Sequence, residues 1–158
     1  MPTTHRRRAA QGAAALLLLF LAGCGKPPPT VTEVEGVVFL DDKPLPSASV
    51  QFLPELELGP EWVSTAITDK DGKFTLNLEM QQKPGAAVAL HRVIVHEGPL
   101  PEGARGMDET SQQKMTVYLN SLANRPIPKV YGAAGTTPTR VEVKEGQKSY
   151  EIRLERPK

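Results

Sequence analysis

The chain has 158 residues, of which 39% are hydrophobic and 23% charged, and its formal net charge is +1. This length suits one domain with short appendages, and the composition excludes a broadly disordered chain. Removal of residues 1–23 leaves 16 basic and 18 acidic side chains, and this net charge of −2 gives no electrostatic reason to bind nucleic acid. The single cysteine excludes an intramolecular disulfide.

The first 23 residues have the pattern of an export signal. A basic stretch at 5–8 precedes an apolar run at 13–22, which is too short to cross a bilayer as a helix. The last two residues of this run and the two that follow it match the bacterial lipobox at every position: Leu21, Ala22, Gly23 and Cys24. The resemblance implies that 1–23 is a cleaved signal peptide and that Cys24 carries a diacylglyceryl group and a further acyl chain such as palmitate. A plain secretory leader with an incidental cysteine is the alternative.

Residues 24–30 are predicted to be a short tether. Prolines at 27–29 favour a polyproline II conformation, which rises about 3.1 Å per residue and would place Val31 about 20 Å from Cys24. In the lipobox family an Asp after the cysteine retains the protein in the inner membrane, and this chain has Gly25 there. We therefore expect a domain held close to a membrane, outside the cytoplasm, with the outer membrane favoured over the inner.

The first half of the mature chain alternates apolar and polar residues with the period of a β-strand. Strands are predicted over 33–40, 48–52, 62–68 and 73–78, with turns at 41–44 and 69–72. Pro54 is predicted to end the second strand. Asp and Gly at 69–72 supply the backbone dihedrals of a tight turn, so the last two strands are predicted to form a hairpin.

Three more strands are predicted over 90–96, 140–144 and 149–154, the last two joined by residues 145–148. Seven short strands with turn signals between them predict an all-β domain over 31–156, a seven-stranded antiparallel sandwich of the transthyretin-like or immunoglobulin-like kind.

An insertion at 99–126 interrupts this pattern. Its first part is loop-like, and a short helix is predicted within 108–122, with Asp108 near its start. One apolar stripe on that helix would consist of Met115, Tyr118, Leu119 and Leu122. Packing against the parent domain is the favoured interpretation of the stripe, and docking of a partner is the alternative.

Several stretches together resemble the carboxypeptidase regulatory-like domain, a transthyretin-like seven-stranded sandwich. The matching segments are 34–38, 43–46, 48–50, 68–76 and 91–95, with 127–138 similar to the tail of small bacterial lipoproteins that carry this domain. The resemblance covers roughly 31–98 and 126–155 and implies a non-catalytic module. His91 stands where the family has an aromatic residue, often Tyr, at the start of the fifth strand.

Residues with metal-binding or catalytic chemistry have simpler interpretations. Asp69 and Asp71 begin like a calcium loop, but the twelfth position is Met80, and a hairpin turn explains both residues. His91 and His96 lie five apart and point to opposite faces of a strand, so they cannot share a metal; His91 is predicted on the core side. The sequence has no nucleophile motif with a matching base, so we expect no enzymatic activity, no metal and no cofactor other than the lipid.

Carbohydrate is the ligand class that such a sandwich could host. Trp62 and Tyr131 are the candidate ligand-binding aromatics, although the favoured interpretation is that both are partly buried packing residues. The sequence thus predicts an envelope lipoprotein that is a structural or protein-interaction module, with its membrane and an envelope protein or glycan as partners. The alternatives are a carbohydrate-binding accessory domain that uses exposed aromatics and, more remotely, a subunit of an enzyme complex.

Overall fold

The computed structural model describes residues 27–55 and 59–157. These residues form twelve strands, one α-helix and three short 3-10 turns. The strands are β1 Val31–Thr32, β2 Glu35–Leu40, β3 Lys43–Pro44, β4 Ala48–Pro54, β5 Ser64–Ile67, β6 Lys73–Thr75, β7 Asn77–Leu78, β8 Lys83–Pro84, β9 Ala86–Ala87, β10 Leu90–Glu97, β11 Arg140–Glu142 and β12 Ser149–Leu154. The helix α1 is Glu109–Ser121, and the 3-10 turns are Pro60–Trp62, Glu79–Gln81 and Lys129–Gly132.

The strands form two main sheets that share one core. The larger sheet has the order β11-β10-β4-β5-β7-β8, and the smaller has the order β12-β2-β3 with β6 also paired to β2. A separate pair, β1 with β9, holds the beginning of the domain. This mostly antiparallel, mostly β architecture agrees with the predicted all-β sandwich class.

Period-two burial, the basis of the prediction, is confirmed in both sheets. Buried residues alternate with more exposed ones along β2 and β12, and the same side of β4 and β10 is buried. The shared core includes Val38, Leu40, Phe52, Val93 and Ile152. Since each fully buried apolar side chain of this size contributes roughly 1.5–3 kcal/mol, the core can stabilise the fold without a disulfide.

One pairing departs from the predicted antiparallel arrangement. β12 runs parallel to β2, in the register Ser149↔Glu35 to Leu154↔Leu40. The cause is the connection after β11, which crosses from the larger sheet to the smaller one. Tyr150 fastens this crossing, since its hydroxyl accepts a hydrogen bond from the Lys144 N–H at 3.0 Å and donates one to the Gln147 carbonyl at 3.2 Å.

The predicted fourth strand, 73–78, is two strands in two sheets. β6 pairs with β2, whereas β7 pairs with β5 through Thr65↔Asn77. Between them Leu76 donates its N–H to the Val34 carbonyl at 2.9 Å. The predicted third strand begins later than expected, at Ser64, because Pro60–Trp62 forms a 3-10 turn. The second strand includes Pro54 rather than ending before it.

The predicted helix within 108–122 is confirmed. Asp108 caps it: one carboxylate oxygen accepts the Ser111 N–H at 3.0 Å and the other accepts the Ser111 hydroxyl at 2.6 Å. The predicted stripe, Met115, Tyr118, Leu119 and Leu122, is half-buried, whereas Val117 on another face is 65% exposed. The stripe is therefore the sheltered side of the helix.

The chain after the helix is fastened to the sandwich by two polar side chains. The Arg125 guanidinium lies 2.6 Å from the Glu97 carboxylate and donates to the Pro46 carbonyl at 2.7 Å, with only 11% of the side chain exposed. Asn124, with a φ of 60°, donates its amide to the Leu40 carbonyl at 2.8 Å. These contacts tie the insertion to the loops at the ends of β2 and β3.

Replacing Arg125 with alanine should lower the free energy of unfolding by about 2 kcal/mol, because the half-buried Pro46 carbonyl and the Glu97 carboxylate lose their shared hydrogen-bond donor together. Urea unfolding of the two proteins measures this difference. Arg105→Ala is the control, since exposed Arg105 donates to the Leu100 carbonyl five residues away, and its effect should stay within about 0.5 kcal/mol. Equal losses in both variants would contradict the anchoring role.

Candidate functional site

The predicted lipid-anchor residues lie outside the described part of the chain. Leu21, Ala22, Gly23 and Cys24 belong to residues 1–26, and the structure begins at Pro27. Strand β1 starts at Val31 and pairs with β9 through Val31↔Ala87. The described domain therefore begins within seven residues of Cys24. Among the described residues, none of the helices is both long enough and apolar enough to cross a membrane.

Tyr131 does not present its ring as a sugar platform, and its position agrees with the favoured interpretation of this side chain as a packing residue. The side chain is 8% exposed and belongs to the core cluster. Its hydroxyl donates to the Glu155 carbonyl and accepts the Glu155 N–H, both at 3.0 Å. Tyr131 thus fastens the Lys129–Gly132 turn to the end of β12, which is a packing role.

Trp62 is half-buried at the end of the Pro60–Trp62 turn. Gln81 holds this turn by donating its side-chain amide to the Glu61 carbonyl at 3.1 Å. Trp62 and Tyr131 lie on separate elements, and no aromatic pair found within 27–55 and 59–157 joins them.

The two histidines occupy opposite faces of β10, as predicted. His91 is fully buried, with Nε2 2.7 Å from the Ala87 carbonyl oxygen and its ring centroid 5.6 Å from that of Phe52. Its Nδ1 has no hydrogen-bond partner among the described residues. Burial lowers the pKa of His91 below its ordinary value, which keeps the imidazole neutral. His96 is half-buried on the other face, and its Nδ1 lies 2.8 Å from the Glu97 carbonyl oxygen.

The aspartate turn at 69–72 is a structural turn between β5 and β6, closed by the Asp69 N–H, which donates to the Lys73 carbonyl at 2.8 Å. The predicted hairpin pairing forms between β5 and β7 and not between β5 and β6. One carboxylate oxygen of Asp69 accepts the N–H groups of Asp71 and Lys73, both at 2.9 Å. Gly72, with a φ of 74°, takes the left-handed conformation that the turn requires. Asp69 is therefore engaged by the backbone, and the described residues contain no group of three acids or histidines placed to hold a metal.

The structure reveals a polar groove that the sequence does not predict. It lies between β5 and β6, the strands on either side of the 69–72 turn, which separate because β6 pairs with the smaller sheet. We call it the hairpin groove. Its volume is about 1000 Å³. Its polar lining consists of four hydroxyl residues, two amides and four charged residues: Ser49, Thr65, Thr75, Ser149, Gln51, Asn77, Glu35, Asp69, Lys73 and Glu79.

Strand alternation places this lining. Lys73, Thr75, Asn77 and Glu79 are all exposed, alternating with residues that are buried. Within the groove the Thr65 hydroxyl donates to the Glu79 carboxylate at 2.6 Å. The amide of Gln51 lies 3.4 Å from Nε2 of His96. The signal available in the sequence was the run of short polar residues on the outward side of three strands, which alone indicates solvent exposure rather than a groove.

No known family model, curated protein or solved structure matches the chain.

Proposed function

We propose that the chain is an exported bacterial lipoprotein, anchored to a membrane through acylated Cys24, whose β-domain is a non-catalytic interaction module. The observation that carries this proposal is the lipobox at 21–24, directly after a basic and apolar leader. The position of β1 supports it, because only residues 25–30 separate Cys24 from the first paired strand. Two or more acyl chains would hold such a domain stably at the bilayer.

The same proposal assigns the domain to the carboxypeptidase regulatory-like, transthyretin-like class. It is supported by the two sheets that share one core and by the tight turns at 41–42 and 69–72. Asp41 and Asp42, with φ values of 50° and 59°, form the two-residue turn between β2 and β3. A module of this class acts by position: the lipid fixes its location and the short tether limits its reach.

Carbohydrate binding is the second candidate function. The buried ring of Tyr131 does not support a sugar platform, which the sequence offered as an alternative to packing, but the hairpin groove offers hydroxyl and amide side chains in its place. The groove supports recognition through hydrogen bonds rather than through aromatic stacking.

Replacing Cys24 with serine should abolish acylation and removal of the leader, since the thiol is the acyl acceptor. Mass spectrometry of protein from the membrane fraction should find wild type beginning at an acylated Cys24 and Cys24→Ser unacylated with its leader retained. Density separation of the two membranes should place wild type in the outer one.

Lys26→Ala serves as the control, because it changes the tether but not the lipobox, and it should be acylated like wild type. Fractionation alone is insufficient, since an uncleaved leader can itself hold the variant at a membrane. A wild-type protein with a free thiol at Cys24 would contradict the proposal.

A further inference from the structure

We propose that the hairpin groove is a binding site for an uncharged oligosaccharide, recognised through its hydroxyl groups. The inference rests on the second candidate function above and deepens it, because it specifies an uncharged ligand of more than one sugar ring. It does not depend on the lipid anchor, so the two proposals can fail separately.

The dimensions of the groove suit a ligand of more than one ring. Its volume of about 1000 Å³ lies at the upper end of the range for small-molecule sites, roughly 300–1000 Å³. Its walls come from both sheets: Gln51 and Thr65 stand on the larger sheet, and Glu35 and Thr75 on the smaller. An extended ligand could therefore contact both sheets at once.

The lining matches the hydrogen-bonding properties of sugars. A sugar hydroxyl both donates and accepts, and the hydroxyls of Ser49, Thr65 and Thr75 do the same, while the amides of Gln51 and Asn77 provide separate donors and acceptors. These side chains are shorter than lysine or arginine and lie on or beside paired strands. Ordering them around a ligand costs less conformational entropy than ordering long charged side chains.

The charges disfavour anionic ligands. Glu35, Asp69 and Glu79 line the groove with one basic residue, Lys73, which gives the lining a net charge of −2. Uronate chains, phosphates and nucleic acids would meet like charge. The carboxylates are also partly engaged, Asp69 by the turn and Glu79 by the Thr65 hydroxyl. An uncharged polar ligand satisfies the groove best.

Apolar side chains in the groove suit a sugar ring better than a peptide. Ile67, 49% exposed, borders the groove and offers a surface for the C–H face of a ring. Among the described strands β6 pairs only with β2, so its other edge borders the groove, but recognition of an extended peptide also relies on pockets for alternate side chains beside such an edge. The lining instead presents mainly polar side chains, so a saccharide is the occupant that the groove favours.

The test is an NMR titration of the full chain, purified from whichever cell fraction holds it, in a detergent that is not a glycoside. The neutral panel contains oligomers of glucose in both α and β linkages, of mannose, of xylose and of N-acetylglucosamine. An oligogalacturonate and an extended peptide provide the charged and peptide comparisons. We expect at least one neutral oligomer to shift the resonances of Gln51, Thr65 and Asn77 at ligand concentrations up to about 10 mM, above the range of a weak Kd near 1 mM.

Two variants and two matched controls locate the binding. Gln51→Ala and Asn77→Ala should each weaken binding about tenfold, because each removes hydrogen bonds made to the ligand. Gln113→Ala and Asn120→Ala remove the same side chains from exposed positions of α1 and should leave the affinity unchanged. The resonance shifts of the wild-type protein locate the binding site by themselves, so the test does not depend on any variant being folded.

The proposal is overturned if no neutral oligomer shifts the groove resonances at about 10 mM, if the shifts lie elsewhere, or if only the uronate or the peptide binds in the groove. A chain that binds sugar but carries no acyl group would contradict the lipoprotein proposal alone. An acylated chain without groove binding would contradict this one alone.

Discussion

Replacing Gly36 with alanine should destabilise the domain by about 3 kcal/mol or more, the upper range for overpacking a core. Gly36 is buried in β2 between β12 and β6, opposite Tyr150 on one side and Phe74 on the other. A Cβ at this position would collide with the Tyr150 carbonyl oxygen and lie 2.7 Å from Cζ of the Phe74 ring. The backbone of the parallel pair cannot move away without breaking its own ladder.

Equilibrium unfolding in guanidinium chloride measures this loss, and Gly135→Ala is the matched control. A Cβ at Gly135 would meet nothing within 4 Å, so alanine there should change stability by less than about 0.5 kcal/mol. If Gly36→Ala were as stable as Gly135→Ala, the parallel register of β2 and β12 would be wrong.

The predictable part of the fold is the part governed by local pattern. The alternation of Val34, Gly36, Val38 and Leu40 correctly predicted which side of β2 is buried. The cap at Asp108 likewise marked the start of α1. Side-chain polarity at a period of two or 3.6 residues, and the conformational preferences of Asp and Gly, act within a few positions and are visible in one sequence.

The parts that the sequence did not predict depend on long-range pairing. Alternation along 73–78 continues unbroken through Leu76, so the pattern contains no sign that the strand changes sheets there. β12 has the same alternation whether it pairs parallel or antiparallel with β2. The hairpin groove results from that change of sheet, which explains why its polar residues looked like ordinary solvent-facing positions.

The aromatic candidates were chosen by residue type, which does not determine exposure. Tyr131 has both a large apolar body and a hydroxyl, and either a sugar platform or a buried anchor uses such a side chain. Its two hydrogen bonds to Glu155 decide for the anchor, and they join residues 24 positions apart. A single sequence does not show a contact of that separation.

Stability should fall as the pH decreases from about 7 to 5, and His91 should be the main cause. The folded domain buries His91 as a neutral imidazole, and burial lowers its pKa. Above about pH 6.5 the imidazole is neutral in both the folded and the unfolded chain. Below that value the unfolded chain takes up a proton and the folded chain does not until the pH reaches the lowered pKa. The unfolded state is therefore favoured increasingly through this window.

Carboxylates contribute in a different pH range. Hydrogen bonds lower the pKa of four carboxylates: Glu33 bonded by Lys148, Asp41 by Arg156, Glu55 by Arg92 and Asp108 by Ser111. The stability from a carboxylate with a lowered pKa is present above its unfolded value, about 4 for Asp and Glu, and is lost as the pH falls through the folded value. As the pH falls, these carboxylates therefore begin to lower the stability of the domain only after His91 has already lowered it.

The variant His91→Leu should remove most of the slope between pH 7 and 5, because leucine has no proton to bind. The readout is the slope of the unfolding free energy against pH, measured by urea unfolding at several pH values. The variant also loses the contact between Nε2 and the Ala87 carbonyl, which lowers the stability itself but does not obscure the slope. His96→Gln, on the opposite face of β10, should keep the wild-type slope. Each unit by which a pKa is lowered corresponds to about 1.4 kcal/mol, so the slope should be measurable. If His91→Leu retained it and His96→Gln lost it, the buried imidazole would not be the group that makes the domain sensitive to acid.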